Sequence, residues 1–199
     1  MRAAGCRPYI KIRFYRRAGA CPNIMIISRK GSENQKMYFT YYESPIGVLT
    51  LGEENSALTY LLFGEQSPAG YTQSPTPFLI GVSGQLTQYF AGRRKSFDIP
   101  LNPSSTAYRK SVWKLLLDIP YGETITYGEL ARRTGNPKAS RAVGGANHHN
   151  PISIIIPCHR VIGAGGKLTG YGGGLEAKAF LLQLEQDYIV SQFQNGLPF

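Results

Sequence analysis

Chemistry in this chain would centre on Pro157-Cys158-His159-Arg160, which follows the apolar run Ile154-Ile155-Ile156. A thiol becomes a strong nucleophile once a base takes its proton, and histidine is the usual base. The β-branched run reads as a buried strand that presents a thiol and an imidazole where the sheet stops. Cys158 is the only cysteine between Met37 and Phe199. It therefore has no disulfide partner in that body, and the choice is between a reactive thiol and a buried small hydrophobe. Adjacency is awkward, because consecutive side chains of an extended strand point to opposite faces. Either the chain turns at Pro157-Cys158 or a water relays the proton. A histidine base also needs its second ring nitrogen held by an acceptor. Glu185, a carboxylate in a mostly apolar stretch, can serve; ordinary exposure is the other reading.

Zinc competes for Cys and His. The body offers one Cys and three His (His148, His149, His159) without C-x-x-C or H-x-x-H spacing, so no metal site is expected. Gly163–Gly174 holds seven glycines in twelve residues, but no Lys-Ser/Thr follows to make a phosphate-binding motif, and no cofactor is expected.

The chain of 199 residues is 42% hydrophobic, enough for a packed core, and no apolar run approaches the ~20 residues that span a bilayer. A soluble globular protein without a membrane partner is expected, in a reducing compartment given only three cysteines. The net charge of +10 invites a nucleic-acid reading. Its distribution weakens that inference: residues 1–36 hold nine Lys or Arg and one Glu, leaving 13 basic and 11 acidic residues beyond them. Residues 1–36 are expected to be a basic extension outside the fold, with a new start at Met37. Any case for nucleic acid rests on local placement, such as Arg132, Arg133, Lys138 and Arg141.

The elements that would position the site fall in two halves. Met37–Tyr42, Val48–Leu51 and Ala57–Phe63 read as an antiparallel meander, Gly64–Pro77 as a loop, Phe78–Ala91 as a helix and 97–99 as an edge strand before Pro100. From 102 the pattern turns helical. Tyr108, Val112, Leu115, Leu116 and Ile119 make one apolar stripe with Trp113 beside it, and Pro120 stops that helix. Thr126-x-x-Glu129 is a capping box opening a short helix through Arg133. Asn136 and Pro137 start another, running to about Asn147, and the pair forms a helix-turn-helix signature. The second helix contains Gly144-Gly145, each glycine costing about 1 kcal/mol against alanine. Such a cost implies close approach of another backbone, either DNA or a packed helix. Arg141 plus Ala and Gly cannot read a major groove, but suits minor-groove docking with one inserted Arg. The last helix is expected over Leu175–Tyr188, with Leu175, Ala179, Leu182 and Gln186 on its stripe.

Three stretches together resemble the methylated-DNA–protein-cysteine methyltransferases, also called O6-alkylguanine-DNA alkyltransferases. They are Tyr121-Gly122-Glu123-Thr124-Ile125-Thr126-Tyr127-Gly128-Glu129-Leu130, Arg141-Ala142-Val143-Gly144-Gly145-Ala146-Asn147 and Pro157-Cys158-His159-Arg160-Val161. The likeness runs from about Met37 to Gln186 and is loose before Asn102. It implies an α/β (α+β) protein: a ribonuclease-H-like N-terminal domain over 37–101, a winged-helix-like helix-turn-helix domain over 102–190 that holds the site, and a tail over 191–199. It implies minor-groove binding of double-stranded DNA, Arg141 replacing a flipped-out guanine, and contacts from Gly128, Asn136, Arg109, Ala142, Gly144 and Gly145. Base flipping is needed because the alkyl group cannot otherwise reach a buried sulfur.

In the family Cys158 takes the alkyl group, Glu185, His159 and a water yield its thiolate, and Asn150 braces the turn before it. The resemblance gives Tyr127 and the Gly172 N–H to the guanine leaving group, the Cys158 and Val161 carbonyls to its exocyclic amine, and Tyr171 and Pro157 to the pocket. One alkyl group would be transferred per molecule, without a cofactor, by a monomer acting on O6-alkylguanine, with O4-alkylthymine a further candidate substrate. The expected location is the cytoplasm with the chromosome in a bacterium or archaeon, or the nucleus in a eukaryote. The alternative is a non-transferring recogniser of alkylated DNA, but such relatives replace the cysteine. Two departures stand out: His148-His149 replace the Gly, Arg or Lys common before the Asn-Pro, and metal ligands of some relatives' N-terminal domains have no counterpart.

Overall fold

The computed structural model describes residues 36–194, with side chains to 190; the basic extension therefore lies outside the described residues. The first half is a four-stranded sheet in the order β3-β2-β1-β4. Strands β1 (Met37–Ser44), β2 (Gly47–Glu54) and β3 (Ala57–Phe63) form the expected meander. Its second turn is Asn55-Ser56, both with positive φ, the backbone that matches a two-residue hairpin to strand twist. The stretch expected as a plain loop instead contributes β4 (Thr72–Gln73), parallel to β1. Two residues are too few for a periodic signal.

Helix α1 (Pro77–Phe90) is capped by Thr76 and buries Leu79, Val82, Leu86 and Tyr89. Those positions recur at helical spacing, so one face enters the core. Residues 97–99 form no strand. The chain reaches β3 slightly later, where Leu58 donates to the Pro100 carbonyl at 2.8 Å and Leu101 bridges to Leu58.

The free edge of β3 also holds the segment that leads to Cys158. The Leu61 N–H donates to the Pro151 carbonyl at 2.8 Å, and the Ser153 N–H returns a bond to the Leu61 carbonyl at 3.1 Å. The expected Ile154–Ile156 strand does not form. Pairing stops after this one bridge, Ile154 takes φ 70°, and Cys158–Arg160 is a turn of 3₁₀ helix. All three isoleucines are core residues, so their burial is right while their backbone is not.

In the second half, α2 (Ala107–Leu117) is capped by Thr106 and buries Val112, Trp113 and Leu116. Tyr108, expected on that stripe, is 42% exposed on the first turn. The indole N–H of Trp113 donates to the Ala146 carbonyl at 2.9 Å, which fixes α2 against the helix that follows the turn. β5 (Ile125–Thr126) leads into α3 (Tyr127–Arg133) and pairs in parallel with β6 (Val161–Ile162). Thr126 Oγ accepts from the Glu129 N–H, but the Glu129 carboxylate turns to Arg132 and Arg133, so the box closes on one side.

Helix α4 (Ser140–His148) begins later than expected. Asn136 accepts from the Lys138 N–H and holds a separate turn rather than capping the helix. The last helix, α5, runs over Gly174–Gln194, so the first residues assigned to the tail are helical. Its buried side is Ala177, Lys178, Leu181 and Glu185; Leu175, expected there, is 48% exposed.

Candidate active site

Cys158 sits at the start of the 3₁₀ turn and is 6% exposed. Burial raises its thiol above the ordinary range, opposed by the Asn150 amide and the positive charge of Lys178. Asn150 Nδ2 lies 3.1 Å from Cys158 Sγ and 2.8 Å from the Ile156 carbonyl, while Oδ1 accepts from the Ile152 N–H at 3.1 Å. One amide therefore shapes the 150–156 turn and donates to the sulfur, the arrangement that favours a thiolate.

The turn also resolves the adjacency of Cys158 and His159. His159 lies fully buried with Nε2 2.9 Å from Glu185 Oε1. A carboxylate only accepts, so Nε2 carries the proton and Nδ1 holds the lone pair. Nδ1 is buried without a protein hydrogen-bond partner. Burial lowers the imidazole's affinity for a second proton even against the pull of Glu185, so the ring is neutral and basic at Nδ1.

Glu185 is the fixed point behind this ring. Oε1 accepts from Tyr89 Oη at 2.7 Å, from His159, and from Arg160 Nη2 at 2.9 Å; Oε2 accepts from Arg160 Nε at 2.9 Å and the Gly122 N–H at 2.8 Å. Burial alone would raise this carboxyl, but the bonds and charges of His159 and Arg160 hold it far below the usual range. Glycine suits position 122 because its φ is 77°, a left-handed backbone that strains any side chain. Arg160 spends its remaining reach on the Ile119 carbonyl at 2.6 Å and stands 5.6 Å from the centre of the Tyr121 ring.

Two residues of the site were missed from the sequence as functional candidates. Arg160 neutralises Glu185, and Lys178, fully buried, donates to the carbonyls of Val161 at 2.6 Å and Thr169 at 3.0 Å. Lys178 thereby ties α5 to β6 and the Gly-rich loop. Its position three before Leu181 and seven before Glu185 was the available signal.

The cleft beside the thiol is small, about 20 Å³, with Tyr127, Asn147, His148, Cys158, Tyr171 and Gly172 in its walls. That is space for about one water. It adjoins an open cleft of about 360 Å³ that shares Tyr127, His148 and Gly170 and adds Gly144. Tyr171 packs edge-on against Phe63 at 5.3 Å. Arg109, Gly128, Asn136, Arg141, Ala142 and Gly145 line neither cleft; they stand on α2, α3 and α4 and the turn between, with Asn136, Arg141 and Ala142 exposed. Pro157, expected in the base pocket, lines a separate groove with Phe97, Tyr121 and Ile155, because the 3₁₀ turn begins after it.

The glycine pair on α4 has a clear environment. A Cβ on Gly145 would meet nothing within 4 Å, and one on Gly144 only the Tyr127 ring at 3.9 Å. Tight internal packing does not account for them. The helix presents bare backbone beside an open cleft.

A helix-turn-helix carrying a buried thiol, an amide donor and a carboxylate-held neutral histidine defines a DNA-directed thiol chemistry. Residues 107–187 match the family described as 6-O-methylguanine DNA methyltransferase, DNA binding domain, and residues 37–103 its ribonuclease-like domain. The methylated-DNA–protein-cysteine methyltransferase of Methanosarcina acetivorans is 53% identical over 154 residues, covering 75% of this chain and 98% of that protein. The protein of the same name from Haemophilus influenzae is 47% identical over 168 residues, 81% of this chain and 94% of its own length. The Mycobacterium tuberculosis OGT solved in complex with DNA superimposes with a TM-score of 0.72 at 52% identity, over 76% of this chain and 94% of that one. The chain belongs to the 6-O-methylguanine DNA methyltransferase family.

Proposed function

We propose that this protein repairs DNA by moving the alkyl group of O6-alkylguanine onto Cys158, once per molecule. The observation that carries this reading is a Cys158 sulfur 3.1 Å from the Asn150 amide followed, on the next residue, by a neutral imidazole that Glu185 holds and whose free nitrogen has no protein partner. The thiol proton passes to His159 Nδ1 through a water. The sulfur then attacks the alkyl carbon, the S–C bond forms as the C–O bond breaks, and the electron pair leaves on the guanine oxygen. The proton passes from His159 to the purine, which remains in the DNA strand as ordinary guanine. Restoring the thiol would require a nucleophile to take the alkyl group from the thioether and expel a thiolate, a poor leaving group, so the protein is spent.

Delivery of the base follows the family's scheme on these positions. The helix-turn-helix docks in the minor groove, with Gly144 and Gly145 letting the backbone approach and Arg141 filling the place of the extruded nucleotide. Tyr127, in the wall of both clefts, crowds the phosphate and with the Gly172 N–H takes the leaving group. The Val161 carbonyl, already accepting from Lys178, retains a second lone pair for the exocyclic amine. The closed form of the thiol cleft is too small for a purine, so the Gly-rich loop around Tyr171 must open for the base and close over it. The protein acts as a monomer.

The test is mass spectrometry after incubation with an oligonucleotide containing O6-methylguanine. One added methyl on the peptide bearing Cys158, in a single burst, is expected. Tight lesion binding without that adduct would favour a recogniser, and multiple turnover a hydrolase.

A further inference from the structure

Asn147 has no assigned role, yet it occupies a wall of the thiol cleft. It stands on the last turn of α4, is 8% exposed, and both Nδ2 and Oδ1 are buried without a hydrogen-bond partner. A carboxamide offers two N–H donors and a carbonyl, and burial with neither end used is costly enough to need an explanation. Asn150, three residues later on the same chain, shows the ordinary outcome: both its ends are paired. Asn147 is not alone. The Tyr171 hydroxyl and His159 Nδ1 are also buried and unpaired. Two of these three groups, Asn147 and Tyr171, share the walls of the small cleft with Cys158.

The reading proposed above already gives partners to the exocyclic amine and the leaving oxygen. Of the ring acceptors left over, N7 shares the major-groove edge with the alkylated oxygen, and Asn147 shares the small cleft with the sulfur that must face that oxygen. The part of Asn147 that suits N7 is the Nδ2 donor. We infer that Asn147 is a specificity-determining residue, whose amide donates to N7 of the extrahelical purine held beside Cys158. This rests on the alkyl-transfer reading and adds a determinant to it. A pyrimidine has no N7, so the same amide would favour alkylated guanine over alkylated thymine.

The experiment compares single-turnover transfer to the full-length protein from oligonucleotides carrying O6-methylguanine or 7-deaza-O6-methylguanine. One hydrogen bond is at stake, so the wild type should react about fivefold to tenfold more slowly with the deaza probe. Asn147→Leu should slow by the same factor on O6-methylguanine and lose the difference between the two probes. Equal wild-type rates on both probes, or a difference that persists in Asn147→Leu, overturns the inference while leaving methyl transfer standing. No transfer from O6-methylguanine overturns the functional reading as well. Should Asn147→Leu fail to fold, the wild-type comparison alone decides.

Discussion

The two sides of the Cys158–Arg160 turn are built on opposite rules. Behind it, the Glu185 carboxylate receives bonds from Tyr89, Gly122, His159 and Arg160, and both oxygens are engaged. In front of it, in the thiol cleft, the Asn147 amide and the Tyr171 hydroxyl are buried with nothing to bond. A satisfied buried network rigidifies, whereas an unsatisfied one raises the free energy of the resting fold. The rear is thus a clamp and the front a set of open valences, while His159 has one nitrogen held by the clamp and the other buried without a partner. Placing the loss of stability on the side that receives the substrate is how sites generally trade stability for function.

The sharpest way to break this contrast is Glu185→Gln, which leaves Arg160 buried without its counter-charge. Removing one partner of a buried pair costs about 3–5 kcal/mol, and about 10 °C in melting temperature for a chain of this size. A melt within 2–3 °C of wild type, on that same scale, would mean the rear is no clamp. Acid should act next. His159 and Glu185 both have depressed folded-state affinities for protons, so each is charged by its proton or neutralised more readily in the unfolded chain. Their stabilisation is whole above the unfolded histidine value of about 6.5 and is lost as pH falls, by up to about 1.4 kcal/mol per unit for each proton. Denaturant titrations from pH 7 to 4 should show that loss, and His159→Gln should flatten its upper part.

Smaller effects separate the two faces more finely. Tyr89→Phe removes one of several bonds to Glu185 and should cost about 1 kcal/mol in urea unfolding, since the carboxylate keeps its other donors. Asn147→Leu should be neutral or stabilising by up to about 1 kcal/mol, because an unmet amide is replaced by an apolar group of similar volume. A loss of 2 kcal/mol or more there would show that the front is as structural as the rear.

How far the sequence revealed this follows from the same division. The meander, the Thr126 cap and the helix-turn-helix were legible because their signals are local: turn residues, a hydroxyl cap and a repeating stripe. Ile154–Ile156 misled because an apolar run marks burial without marking backbone, and here the chain turns inside the core, with Ile154 at φ 70°. α5 misled for a related reason. Its inward stripe contains Lys178 and Glu185, so scoring by polarity rotated the helix toward Leu175. Residues far apart in sequence, such as Tyr89 and Glu185, meet only in three dimensions and left no trace in spacing.

The narrowness of the thiol cleft has a chemical consequence of its own. A cysteine meant to accept alkyl groups works amid soluble electrophiles and oxidants that would consume it without benefit to the genome. With 6% of Cys158 exposed, and space beside it for about one water, those reagents meet a raised-pKa thiol behind a closed door. Access becomes the filter: iodoacetamide or peroxide should find the folded protein sluggish.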